Sequence, residues 1–108
     1  MLRIHAALAL GVAARCCRLL GTGPLDDELA ACRRALARAE PETIHDARAA
    51  ASELALRAAA ALVVSVGSGS LVAEEHPQRL AREALFLSVF GGRPPVRTAL
   101  LRLLGAAH

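Results

Sequence analysis

The stretch that decides the fold runs from Gly67 to Arg93 and reads GSGSLVAEEHPQRLAREALFLSVFGGR. Its first glycines end an apolar helix, because glycine commonly occupies the position just after a helix C-terminus. After a short loop, Pro77 opens a second helix, since proline fits the first turn, where its missing N–H is not needed. That helix reaches Phe90 and stops at Gly91-Gly92. The stretch therefore predicts two helices joined by a short connection.

The rest of the chain shows the same helical periodicity and no strand pattern. Gly21-Thr22-Gly23-Pro24 breaks the chain after a first helix, and Pro41 breaks it again after a second. Short connections favour antiparallel neighbours, so we expect an all-α, up-down antiparallel bundle of about five helices. The predicted helices cover residues 2–20, 26–39, 42–66, 77–90 and 94–104.

Apolar residues at helical spacing predict which side of each helix faces the core. Ion pairs across one helical turn are predicted between Glu53 and Arg57 and between Arg79 and Glu83. Beyond Arg57 the charges stop, so residues 58–66 should be buried on every side. The outward residues predicted for the longest helix are His45, Arg48, Ser52 and Glu53. The inward residues predicted for the second helix are Leu29, Cys32, Leu36 and Ala39. Those predicted for the fourth helix are Leu80, Ala84 and Leu87, with Phe86 as a further candidate. Those predicted for the fifth helix are Val96, Leu100, Leu103 and Leu104.

The composition indicates one small domain, residues 1–108, with more apolar surface than it can hide. Of its 108 residues 55% are hydrophobic, and the mean hydropathy is positive. A domain of this size buries only about 60–70% of the surface that its unfolded chain exposes. The surplus should therefore lie against a partner, a membrane or the rest of a larger protein. Phe86 and Phe90 are the only aromatic residues, which argues against a nucleic-acid stacking surface.

No familiar catalytic or metal-binding motif is present. Cys16, Cys17 and Cys32 form neither a Cys-x-x-Cys motif nor a cluster with histidine, so we interpret them as small buried hydrophobes in a reducing compartment. The four histidines are scattered and are interpreted as surface or capping residues. Glu74 and Glu75, the only adjacent glutamates, are interpreted as charges at a helix start. The arginines, which give a net charge of +3, fit solvated helix faces better than a phosphate-binding patch.

Two interpretations of the N-terminus remain open. Arg3 followed by an apolar run and small residues fits a secretory signal, but it also fits an amphipathic first helix in a cytoplasmic protein, which we favour. No membrane span is expected. The longest uncharged run, residues 58–73, is shorter than the ~20 apolar residues that a span needs, and Gly67 and Gly69 break it.

Three segments, in this order and spacing, resemble the C-terminal helical domain of flavin-dependent acyl-CoA dehydrogenases. Ala9 to Ala13, ALGVA, is similar to the first helix of that domain, in which a glycine lets neighbouring helices approach. Ala47 to Val66 resembles the long helix that leads into its glycine turn. The most specific match is RLAREA at Arg79 to Ala84, which resembles the Arg-x-x-Arg-Asp-Ala helix of the family.

The resemblance implies a flavoprotein part without the catalytic group. Gly67 and Gly69 would be the cofactor contacts, because the family's glycine turn typically reaches the FAD of a neighbouring subunit. Gly91 stands where the family usually has its catalytic glutamate, so no catalytic residue is carried over. The family's other two domains are not in the sequence, so we expect the isolated chain to be inactive. FAD and acyl-CoA would bind only in a complete assembly.

The function expected from the resemblance is oligomerisation and one side of an FAD site within an acyl-CoA oxidoreductase. The partner would be a second copy of the chain or a protein that carries the missing dehydrogenase domains. The alternative is a free-standing helical protein-interaction module without flavin. A third, secreted interpretation depends on the N-terminal signal.

Overall fold

The computed structural model describes residues 1–67, 76–90 and 93–106. Within these ranges the chain forms α1 Leu2–Leu20, α2 Pro24–Arg38, α3 Ile44–Val66, α4 His76–Val89 and α5 Pro94–Leu103, and no strand. The all-α prediction is confirmed, and each helix begins and ends within two residues of its predicted bounds. The turn predicted at Gly91-Gly92 and the glutamates Glu74 and Glu75 lie outside the described residues.

Local hydrogen bonds explain where α2 and α3 differ from their predicted starts. α2 begins at Pro24 rather than Asp26, because Asp26 Oδ2 accepts the backbone N–H of Gly23 at 3.0 Å and so satisfies a donor at the helix start. α3 begins at Ile44, because residues 41–43 form a turn in which Thr43 Oγ1 accepts the Glu40 N–H at 2.9 Å. Both corrections come from side chains that bond the backbone ahead of a helix.

The first four helices alternate in direction, as predicted. Arg3, in the first turn of α1, donates to the carbonyls of Leu36 and Ala39 at the end of α2, so these helices are antiparallel. Arg48, near the start of α3, donates to the Leu87 carbonyl near the end of α4. α3 packs against all four other helices, and its largest interface is with α1. α5 packs on the first half of α3, where Val96 and Leu100 contact Ala49.

Alanines bring α1 and α3 close together. Ala9 and Ala13 of α1 and Ala55 and Ala58 of α3 are completely buried in one core cluster. Leucines from α1, α3 and α4 complete this core, in the inward positions predicted for α4. A core of small side chains needs close approach of the helix backbones, since few bulky groups are present to fill gaps. The fold therefore depends on alanine at these positions.

Replacing Ala55 with leucine is expected to destabilise the protein by about 2 kcal/mol, because the three added carbons have no space beside α1. Urea denaturation followed by circular dichroism would measure the free energy of unfolding. Ala60→Leu is the matched control, because Ala60 lies on the exposed side of the same helix. Equal stability of the two variants would contradict tight packing between α1 and α3.

The predicted sides of α3 are wrong at two places. Arg48 and Ser52, predicted to face outward, are completely buried, because the end of α4 offers carbonyl acceptors to Arg48. Conversely, the end of α3 is not buried on every side: Val64 is 79% exposed, since no described residue covers it. The inward predictions for Phe86, Leu103 and Leu104 are also wrong, because each is about half exposed.

Both ion pairs predicted across one helical turn are present on the surface. Arg57 binds Glu53 at 2.8 Å and also Glu28 of α2 at 2.7 Å, so it joins two helices. The hydrogen bonds that Arg57 donates to Glu28 lower the pKa of the Glu28 carboxyl. Arg79 and Glu83 approach to 3.5 Å on α4. Exposed pairs of this kind contribute only about 0.5 kcal/mol each, so they do not determine the fold.

Among the described helices, α3 alone has the length and hydropathy to cross a membrane. The core helix of a bundle satisfies the same criterion, and α3 packs against all four other helices. We therefore interpret α3 as the central helix of the bundle, and the expectation of no membrane span stays a prediction.

Candidate functional site

The predicted cofactor contacts lie at the end of α3. Gly67 follows α3 with a φ of +84°, a left-handed conformation that favours glycine, and its backbone N–H bonds the Val63 carbonyl. Gly69 lies outside the described residues. Gly67 does not line either of the two grooves described below. The structure thus explains glycine at position 67 by the helix end, and an FAD contact there stays a prediction.

A large apolar surface lies on the outside of α1 and α4. Ile4 and Leu8, one turn apart on α1, are more than half exposed. Phe86 lies on α4 and Phe90 directly follows its end, and their rings stack with centroids 4.9 Å apart. Leu85 and Val89 extend this surface along α4 and are also mostly exposed. Much of the apolar surplus expected from the composition therefore lies on or beside these two helices.

Between α1 and α4 lies a groove of about 660 Å³ that opens to solvent. Leu8 and Val12 form its α1 side, and Leu80, Phe86 and Leu87 form its α4 side. We call it the α1–α4 groove. Its volume is in the range of ligand and peptide sites, and its lining combines apolar side chains with a few charges.

Gly11 forms part of the α1 wall of this groove. A glycine inside a helix costs roughly 1 kcal/mol relative to alanine. A Cβ added at Gly11 would have no atom within 4 Å, so no packing contact inside the described chain requires glycine there. The resemblance implied a glycine that lets a neighbouring helix approach, but α1 meets its neighbours α2, α3 and α4 elsewhere. Gly11 instead leaves the α1 wall of the open groove without a side chain at this position.

One end of the α1–α4 groove is positively charged. Arg15 lies toward the end of α1, and Arg79 and Arg82 lie in the first turns of α4. Arg79 is paired with Glu83, and Arg15 Nη2 lies 3.4 Å from His76 Nδ1. Among the described residues, neither Arg15 nor Arg82 has a carboxylate partner. The groove therefore has a cationic end and, around Leu8 and Phe86, an apolar end.

Buried Arg48 holds the end of α4 in place. Its guanidinium donates to Ser52 Oγ, to the Leu87 carbonyl and, at 3.1 Å, to the Phe90 carbonyl. The last carbonyls of a helix have no partner within the helix, so Arg48 satisfies groups that would otherwise be costly to bury. Burial without a carboxylate lowers the pKa of Arg48 below its usual range. Arg48 thereby positions the turn that carries Phe86 and Phe90.

His5 also contacts this turn. It is 5% exposed and meets the Phe90 ring edge-on, with centroids 5.0 Å apart. The prediction of a surface or capping role is wrong for His5, because the end of α4 covers it. The sequence signal that was missed is the spacing from His5 to Ala9 and Ala13, which places it beside the buried stripe of α1.

None of the three cysteines lines the α1–α4 groove. Cys16 and Cys17 are buried and Cys32 is half-buried, and all three are free thiols, so the prediction of buried hydrophobes holds fully for the first two. Burial raises the pKa of the Cys16 thiol to about 11, so it stays protonated near neutral pH. Within the described residues, no three His, Cys, Asp or Glu side chains lie close enough to hold a metal ion.

A smaller groove of about 340 Å³ lies between the end of α1 and the start of α2. Arg18 and Arg33 line it together with Asp26, which already accepts the Gly23 N–H. Its charges of both signs and its small volume give it no clear preference for a ligand. The α1–α4 groove is therefore the stronger candidate site.

The fold and the groove together define an α-helical bundle with an open groove that is apolar at one end and cationic at the other. No protein-family model, no curated protein and no solved structure matches the chain. The resemblance to acyl-CoA dehydrogenases, with its FAD and acyl-CoA, therefore stays a prediction.

Proposed function

We propose that this chain is a protein-interaction module whose α1–α4 groove receives an amphipathic helix of another protein. The observation that carries the proposal is the open apolar groove between Leu8 and Phe86, with Gly11 in its wall. Helices that dock in grooves insert apolar side chains spaced by three or four residues. Residues 4–15 of α1 rise about 16 Å, which matches roughly three turns of a docked helix.

Gly11 favours a helix as the occupant over a lipid surface. A helix backbone can approach closely where the facing residue has no side chain, as at the small-residue contacts between α1 and α3. A bilayer gains nothing from a missing side chain, because added apolar area strengthens its attachment. Leucine at position 11 should therefore weaken helix docking and strengthen lipid binding.

The experiment uses a synthetic amphipathic peptide of about 15 residues, labelled with fluorescein, with leucines at i, i+4, i+7 and i+11 and glutamates in its first turn. Fluorescence anisotropy would measure its binding to the full chain. We expect a dissociation constant in the micromolar range, which corresponds to about −8 kcal/mol. Absence of saturable binding by this peptide would overturn the proposal.

Replacing Phe86 with aspartate is expected to weaken peptide binding at least about tenfold, because it removes a central aromatic anchor and puts a charge in an apolar site. Phe86 is 57% exposed, so the bundle should still fold. Val64→Asp is the matched control, since Val64 is exposed at the end of α3, outside the groove lining. Equal weakening by both variants would contradict docking in the groove.

Gly11 variants give the sharpest test, because neither should unfold the bundle. Gly11→Ala and Gly11→Leu both improve the helix propensity of α1, and a Cβ at position 11 meets no atom within 4 Å. Gly11→Leu should abolish peptide binding, whereas Gly11→Ala should reduce it only slightly. Peptide binding that is unchanged in Gly11→Leu, or vesicle binding that is stronger than peptide binding, would overturn the assignment of a helix to this groove.

A second copy of the chain is the competing occupant. Sedimentation equilibrium of the wild-type chain would show whether it self-associates. If the wild-type chain is a dimer that the Phe86→Asp substitution dissociates, the occupant of the groove is a second copy rather than a partner protein. A monomer that binds the peptide supports the proposal. Flavin absorbance in a purified complex would distinguish the predicted role in a flavoprotein assembly from helix docking, because docking of a helix requires no FAD.

A further inference from the structure

We infer that the docked helix is acidic at the end that lies over Arg15 and Arg82, and that this is its N-terminal end. The inference rests on the proposed function, because it specifies the chemistry of the same occupant. It starts from the uneven distribution of charge along the α1–α4 groove.

Among the described residues, arginines outnumber carboxylates at the cationic end. Three arginines and one glutamate line the groove, and the glutamate, Glu83, is paired with Arg79. Arg15 is half-buried before anything docks, and its described polar neighbour is the ring of His76 rather than a carboxylate. A neutral helix that covered Arg15 and Arg82 would remove both guanidinium groups from water without giving them an anion.

Carboxylates on the docked helix would remove that penalty. Charge-assisted hydrogen bonds between arginine and carboxylate are about twice as strong as neutral ones and are often bidentate. A second copy of the chain would bring to this groove the same three arginines and a single, already paired glutamate. Charge complementarity therefore favours a different, acidic partner over self-association through this face.

The position of the arginines gives the docked helix a direction. Arg15 lies near the C-terminal end of α1, and Arg79 and Arg82 lie near the N-terminal end of α4, so all three are at the same end of the groove. Acidic residues are most favourable in the first turn of a helix, where the dipole is positive. The docked helix should thus run antiparallel to α1, with its apolar anchors following toward Leu8 and Phe86.

Three matched peptides test the inference by fluorescence anisotropy. They share the apolar spacing described above and differ in carrying glutamates in the first turn, glutamates in the last turn, or lysines in the first turn. We expect the first peptide to bind at least about tenfold tighter than either of the others. Its advantage should shrink as salt is raised from about 0.05 M to about 0.5 M, because exposed charges become screened.

Arginine variants locate the effect. In the Arg15→Glu, Arg82→Glu double variant, the preference should reverse toward the lysine peptide. Arg97→Glu, on the exposed side of α5, is the control and should leave the preference unchanged. Circular dichroism would establish that the double variant keeps its helices, and Arg82→Glu alone, at an exposed position, provides a second measurement if it does not.

The outcomes separate this inference from the proposed function. Equal binding of all three peptides to the wild-type chain would overturn the acidic partner and leave helix docking in place. Equal binding of the two glutamate peptides, both tighter than the lysine peptide, would overturn the direction alone. Failure of every peptide to bind would overturn the proposed function itself.

Discussion

The Arg48→Ala variant is expected to lose about 3 kcal/mol of stability, because the carbonyls of Leu87 and Phe90 and the hydroxyl of Ser52 would lose their donor inside the bundle. For a domain of this size, each kcal/mol lowers the melting temperature by about 4–8 °C. Thermal unfolding followed by circular dichroism at 222 nm, a standard helix signal, would measure the loss.

Two further variants separate the hydrogen bonds of Arg48 from its volume. Arg48→Met keeps most of the aliphatic stem and loses every donor, so it should remain well below the wild type in stability. Arg48→Lys keeps a donor group and should fall between the two. Arg97→Ala, at an exposed site on α5, should change the stability by less than about 0.5 kcal/mol. A similarly small effect of Arg48→Ala would contradict its role at the end of α4.

The Leu54→Ala variant is expected to lose about 2–5 kcal/mol, because Leu54 is 1% exposed in the main core cluster and its removal leaves a cavity. Small domains have only about 5–15 kcal/mol of total stability, so this single change uses a large part of it. Urea denaturation would measure the free energy of unfolding of both proteins.

Val64→Ala is the matched control for Leu54→Ala, because it shortens an apolar side chain at an exposed position in the same helix. It should change the stability by less than about 0.5 kcal/mol. If Val64→Ala were as costly as Leu54→Ala, the end of α3 would have to be covered in solution, and the described surface of the bundle would be wrong there.

Local sequence signals were sufficient to predict the helices. The breakers around Gly21 and Pro41 end helices in the structure, and Pro77 lies in the first turn of α4. The spacing of Leu80, Ala84 and Leu87 correctly predicts the buried side of α4. These features follow from periodicity and backbone preference, which a single sequence contains.

Burial of Arg48 could not be predicted in the same way. Its side chain enters the core because the end of α4, roughly 40 residues later in the chain, supplies acceptors that a sequence pattern does not place in space. The stripe that contains Arg48 and Ser52 continues through Ala55 and Ala59, both buried, and this alignment was the available signal. Residue type alone favoured solvent for an arginine.

The sequence predicted that exposed apolar surface exists but not where it lies. The high apolar fraction predicted an unburied surplus, but Leu8 and Phe86 line one groove only because α1 and α4 lie side by side. Apolar side chains favour burial, but whether a neighbour covers a given one depends on the packed structure. Val64 and Leu103 are apolar and remain exposed. The groove is therefore a product of tertiary structure.

The contact of α3 with every other helix has a consequence for folding. Most of the contacts between the described helices involve α3, so most of the core depends on this one helix. Formation of the bundle should consequently be cooperative, with native and unfolded chains as the only well-populated species at equilibrium. A destabilising substitution in α3 then lowers the population of the whole native state rather than unfolding one region locally.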